Sequence, residues 1–95
     1  MSERQRVDVW LHRARFAKTR AAAARLVSEG GVRLVHAGQG RRLEKPSAEL
    51  EPGDALLLPQ RGRVIAVRVL GLGRRRGPPA EARLLYSELD PQALA

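Results

Sequence analysis

Apolar residues recur along the first third of the chain at helical spacing. Val7, Trp10, Leu11 and Ala14 fall at i, i+3, i+4 and i+7, so the pattern predicts a first helix over about Arg6–Phe16. Arg6 and Arg13 lie one heptad apart, on one line beside that stripe. Thr19 then has the residue type and the position of an N-cap. It opens a second helix over about Arg20–Glu29, with Ala22, Ala23, Leu26 and Val27 as the inner face and Arg25 and Ser28 opposite. Gly30-Gly31 ends it, because glycine takes up the left-handed position after a helix at no steric cost.

Beyond the glycines the pattern shifts to short runs rich in β-branched residues. Val32–Val35 reads as a strand, His36–Gly40 as a turn and Arg41–Leu43 as a short returning strand. Pro46–Gly53 reads as a loop, with Pro52-Gly53-Asp54 a strong turn signal. Ala55–Leu58 and Val64–Leu72 read as strands joined by a tight connection at Gln60–Gly62. Gly73–Pro79 breaks the second of these. Ala82, Leu85, Tyr86 and Leu89 then return to helical spacing, which predicts a C-terminal helix over Ala80–Leu89 stopped by Pro91. The expected fold class is α+β: two N-terminal helices packed on a short, mostly antiparallel sheet, with a C-terminal helix.

Charge changes this picture from a fold to a function. The chain has 95 residues and 18 Lys+Arg against 10 Asp+Glu, for a net charge of +8. Of these basic residues 16 are Arg. Residues 1–45 hold 11 basic and 4 acidic residues, whereas residues 46–95 hold 7 and 6. Arg-rich coding explains a choice of Arg over Lys, but not an excess confined to one half. A localised excess points to an anionic partner, most often nucleic acid.

The cations fall into three groups. Arg6, Arg13, Arg15, Lys18, Arg20 and Arg25 lie on or between the two helices, where Asp8 and Glu29 are the only acids. Thr19 sits among them. Arg33, Arg41, Arg42 and Lys45 lie on the first strand and beyond the turn. Arg74, Arg75 and Arg76 stand between glycines, where a flexible second phosphate contact is expected. Guanidinium groups present a planar fork that matches two phosphate oxygens at once, and clustering them releases counterions on binding. Trp10 reads as core, while Phe16, at a helix end, is a candidate to stack on a base.

Several function classes are excluded as expectations. There is no cysteine, so neither a disulfide framework nor a Cys-based zinc site is expected. His12 and His36 read as isolated, and no metal or cofactor is expected. No nucleophile elbow, phosphate-binding loop or carboxylate dyad is present, so the chain reads as non-enzymatic. Met1–Val9 is polar with no apolar stretch after it, so no secretory leader, no membrane partner and a cytoplasmic location are expected.

The order of several short motifs resembles an S4-type (alpha-L motif) RNA-binding domain. They are Arg6-Val7-Asp8, Trp10-Leu11, Ala14-Arg15-Phe16, Lys18-Thr19-Arg20, Gly30-Gly31-Val32-Arg33, Lys45-Pro46-Ser47 and Pro52-Gly53-Asp54. Gly62-Arg63-Val64, Val67–Leu70, Arg76-Gly77-Pro78, Ala80–Ala82 and Tyr86 continue the resemblance into the ribosome-associated heat shock protein 15 family. The resemblance implies a single S4-like domain over 1–95, with a core at about 4–60 and a strand, Arg-rich loop and C-terminal helix at 61–90. It implies that Arg15, Lys18, Thr19, Arg20 and Arg33 contact structured RNA, and that Asp8 is structural. The implied partner is large-subunit ribosomal RNA, with tRNA as a further partner. The implied role is recycling subunits that carry nascent chain-tRNA under stress; a monomer is the default expectation, apart from the resemblance. A DNA-binding helix-turn-helix-like protein and an accessory RNA-binding module of an RNA-modification system are the alternatives. Three departures stand out. Val9 replaces a usual basic residue, His12 a common aromatic, and the usual Asn-Gly turn is missing, so that Val35–Gly40 is expected to form a longer tip.

Overall fold

A computed structural model describes residues 3–94. In chain order it contains β1 (Gln5–Arg6), α1 (Val7–Arg13), α2 (Arg20–Ser28), β2 (Arg33–His36), β3 (Gln39–Arg42), β4 (Glu49–Leu50), β5 (Ala55–Gln60), β6 (Arg63–Val69), α3 (Pro79–Ala82) and β7 (Tyr86–Leu89). Five strands form an antiparallel sheet in the order β3-β2-β5-β6-β7, and β1 pairs with β4 apart from it.

Both N-terminal helices end in the same way, and the ending explains why α1 is shorter than its apolar stripe. After α1 the Phe16 N–H bonds back to the Leu11 carbonyl at 2.9 Å and the Arg15 N–H to the His12 carbonyl at 3.1 Å. These are the two bonds of a Schellman ending, and they place Arg15 in the left-handed region at φ +67. Phe16 is thereby turned back onto Trp10, with ring centroids 5.8 Å apart. After α2, Gly30 occupies the equivalent position at φ +81. Thr19 caps α2 as expected, its Oγ1 accepting the Ala22 N–H at 2.9 Å.

The core joins Val7, Trp10 and Leu11 of α1 and Ala23 and Val27 of α2 to the sheet. Leu34 stands opposite Leu56, and Leu56 opposite Val67, so one buried row crosses β2, β5 and β6. Ala22 and Leu26 are only partly buried, which narrows the inner face of α2 to Ala23 and Val27.

Two expectations are corrected. The β2–β3 connection is a two-residue turn, not a longer tip. Ala37 and Gly38 both have positive φ, 50 and 79, and His36 pairs with Gln39. Alanine here adopts the backbone of the first residue of an Asn-Gly turn, whose twist matches the flanking strands. The C-terminal helix is also shorter than expected. Pro79–Ala82 makes one helical turn and Arg83–Leu85 a 3-10 turn, after which Tyr86–Leu89 is a strand. It pairs with β6, Val69 opposite Tyr86 and Ala66 opposite Leu89, and so satisfies backbone groups that β6 would otherwise leave open. The Tyr86 ring meets Phe16 at 4.7 Å and Trp10 at 6.5 Å.

Candidate nucleic-acid interface

The helix-pair cations are built around α1 and its ending. Asp8 is buried, with 4% of its side chain exposed, and accepts both Arg6 Nε and Arg6 Nη2 at 3.0 Å. Arg20 Nη2 reaches the same carboxylate at 3.6 Å. Asp8 therefore anchors two guanidiniums that remain about half exposed, at 47% and 56%. Arg13 Nη1 donates to the Gly73 carbonyl at 2.9 Å and Arg15 Nε to the Gly77 carbonyl at 2.7 Å. Lys18 and Arg25 are exposed and make no side-chain hydrogen bond or ion pair among the described residues. The Thr19 oxygen is committed to its cap. Phe16 is half-buried between Trp10 and Tyr86, so its ring already has aromatic partners within the chain.

The hairpin cations come close to this region. Arg33 and Arg42 stand directly opposite in the β2–β3 ladder, both exposed. Like charges in that position oppose the pairing. The Arg42 guanidinium lies over Gly30 at the end of α2, where a Cβ would sit 1.7 Å from Nη2. Arg41, Arg42 and Lys45 line one shallow depression with Glu44, Ser47 and Ala48. The Lys45–Ala48 segment docks on the start of α1, because the Val7 N–H donates to the Ala48 carbonyl at 2.7 Å and the Asp8 N–H to the Pro46 carbonyl at 3.3 Å. The helix ends thus hold the hairpin cations next to those of α1 and α2.

The segment that carries the third group is clasped against α1. Trp10 Nε1 donates to the Gly71 carbonyl at 2.8 Å and Gln5 Nε2 to the Gly73 carbonyl at 3.1 Å. Arg76 Nε donates to the His12 carbonyl at 3.1 Å and its Nη2 to the Ala17 carbonyl at 3.5 Å. Arg75 pairs with Glu81 at 2.8 Å, and Arg74 alone of the three is exposed without a partner among the described residues. Apart from the Arg75–Glu81 pair, these bonds span 59 to 68 positions in sequence, so no local pattern foretells them.

His36, read as isolated, is not. Its Nδ1 lies 2.5 Å from Asp54 Oδ1 and 3.7 Å from Glu51 Oε1. The three side chains place ligand-type atoms within 4.8 Å of one another. Arg4 Nε sits 3.5 Å from Glu51, and Asp54 also accepts the Glu51 N–H at 3.0 Å, so an ion-paired turn accounts for the cluster. The hydrogen bond to Asp54, and then the Asp54 charge, raise the His36 pKa above 6.5. The pairing therefore stabilises the fold fully below about pH 6.5 and fades as pH rises through the raised value. We expect His36→Gln to melt below wild type at pH 5.5 and alongside it at pH 9. A melting difference that does not change with pH contradicts the pairing.

No helix among the described residues is long and apolar enough to cross a membrane. A model of the S4 domain family matches residues 5–56. Heat shock protein 15 of Escherichia coli (strain K12) is 40% identical over 83 residues, covering 87% of this chain and 59% of that protein. A heat shock protein 15 homolog of Haemophilus influenzae is 38% identical over 92 residues, covering 95% of this chain and 66% of that protein. Small ribosomal subunit protein uS4 of Hyphomonas neptunium is 33% identical over 89 residues, 94% of this chain and 40% of that protein. The chain thus spans about three fifths of the length of the first of these relatives, the 59% above. A structure described as trimeric Vibrio cholerae heat shock protein 15 superposes with a TM-score of 0.79 at 34% identity, covering 92% of this chain and 83% of that one. The family match runs from β1 into β5, across the elements that carry the helix-pair and hairpin cations, and the chain belongs to the S4 domain family.

Proposed function

We propose that the chain is a non-catalytic RNA-binding protein that grips structured RNA with the cations of α1, α2 and the β2–β3 hairpin. The observation that carries this reading is charge left without a counterpart. Arg33 and Arg42 oppose each other across a ladder, and Lys18 and Arg25 are exposed with no ion pair among the described residues, whereas Arg41 faces a cleft that also holds Glu49, Glu51 and Asp54. Such an arrangement costs stability in the free protein, and a bound polyanion offsets that cost. Arg15 adds to it. At φ +67, where glycine is the usual residue, it presents a guanidinium that keeps N–H donors free beyond its one bond to Gly77.

Ribosomal RNA of the large subunit is the proposed partner, with tRNA as a second contact. Relatives named as heat shock protein 15 and as a ribosomal protein support a ribosomal setting. On this reading the cytoplasmic protein helps recycle large subunits that carry nascent chain-tRNA during stress. A monomer suffices, since every cation named lies on one chain.

The test is a competition between a structured RNA and duplex DNA of equal length over a range of salt. With five or six phosphate contacts, the RNA complex should show a log K against log[salt] slope of about −4 to −5. RNA should also be preferred at every salt concentration. Equal or tighter binding of the DNA would overturn the reading.

A further inference from the structure

His12 stands at the end of α1 within a ring of positive charge. Its carbonyl accepts the Arg15 N–H and Arg76 Nε, each at 3.1 Å. Arg13 is its neighbour in sequence, held to Gly73, and Arg15 is held to Gly77. Asp8 lies one helical turn before His12 on the same face, and Arg20 reaches Asp8 at 3.6 Å. Four guanidiniums from α1, the α1–α2 link, α2 and the 70–78 segment are thus anchored about the end of α1 that carries His12. Asp8 is the one acid in these contacts, and Arg6 already occupies it. A guanidinium has five N–H donors, and each anchor uses one or two of them. The remaining donors are held in place before a ligand arrives, so little side-chain freedom is lost on binding.

We infer that one phosphodiester group of the RNA seats over His12 between Arg13, Arg15, Arg20 and Arg76, and that His12 takes up a solvent proton as it binds and donates a hydrogen bond to a phosphate oxygen. The inference rests on the RNA-binding reading and assigns that surface a proton-linked contact. In the free protein partial burial, and then the charges of Arg76, Arg13, Arg20 and Arg15, lower the His12 pKa from its ordinary value and favour the neutral ring. An arriving anion offsets the guanidinium repulsion and favours the imidazolium. Binding and protonation are then linked. Affinity is flat above the pKa of the complex and rises by up to about tenfold per pH unit below it. It is flat again below the pKa of the free protein.

The experiment titrates deproteinised, fluorescently labelled large-subunit ribosomal RNA with the full chain between pH 5.5 and 8.5 at fixed salt. Wild type, His12→Gln and His36→Gln are compared. The ratio of wild-type to His12→Gln affinity should grow at least about threefold from pH 8.5 to pH 5.5, within the linkage limit above. His36→Gln should follow wild type, since His36 sits at the β2–β3 turn with its own carboxylates. The His12 ring proton, followed by NMR, should titrate at higher pH in the complex than in the free protein. A His12→Gln profile parallel to wild type, or an unmoved His12 titration, overturns the inference while leaving RNA binding intact. Failure of wild type to bind RNA at any pH overturns the RNA-binding reading itself, and this inference with it.

Discussion

Trp10→Ala should lower the stability of the protein by about 3–5 kcal/mol, the range for truncating a fully buried aromatic. A chain of this length has on the order of 5–14 kcal/mol in total, so the loss is a large share of it. Trp10 is fully buried and stands where α1, the Phe16 turn-back and Tyr86 of β7 meet. Its indole N–H also donates to Gly71, which ties α1 to the segment that carries Arg76. The substitution therefore leaves a cavity and frees one buried carbonyl. Chemical denaturation should show the midpoint falling with little change in slope, and thermal melting should drop by roughly 15 °C or more. A loss under about 1 kcal/mol would contradict the placement of Trp10 at the centre of the core.

The second large effect is on binding. Lys18→Ala, Arg33→Ala and Arg42→Ala combined should flatten the salt dependence of RNA binding by about 2–3 in log–log slope. Affinity near 0.15 M salt should fall at least on the order of a hundredfold, since each contact is a charge-assisted hydrogen bond. Stability should hold or rise slightly, because removing Arg33 and Arg42 relieves a like-charge cross-strand pair. These positions separate binding from folding. Arg15 and Arg20 do not, because Arg15 bonds to Gly77 and Arg20 shares Asp8, so their alanine variants disturb structure as well. Parallel salt slopes for the triple variant and wild type would show that this face does not carry the phosphates.

The parts of the fold legible in the sequence were those with local causes. The Val7–Ala14 stripe, the Thr19 cap and Gly30 define two helices through spacing and end chemistry. The β-branched run of Val64–Val69 defines the longest strand. Tyr86–Leu89 forms a strand although Ala82, Leu85, Tyr86 and Leu89 match helical spacing. The open backbone of β6, paired through the whole of β7, outweighs that match. The pairing of β1 with β4 involves two residues on each side, too few for any periodicity to register.

The same division holds for the interface. Excess charge over 1–45 and its grouping on the helix pair were visible as composition and spacing. Which cations are anchored was not, because Asp8 serves two arginines and the 70–78 segment folds back across some 60 residues. Arg76 looked like one of three loop arginines. It is a brace on the end of α1. His12 and His36 looked alike as lone histidines, yet one is surrounded by guanidiniums and the other by carboxylates.

Crosslinking the tagged chain in cell extract and sequencing the attached nucleic acid tests whether this S4-domain chain grips structured ribosomal RNA. Large-subunit ribosomal RNA should be enriched, and the enrichment should be lost in the Lys18, Arg33 and Arg42 triple variant. Enrichment of DNA, or no enrichment of any RNA over an untagged control, would contradict the RNA-binding reading.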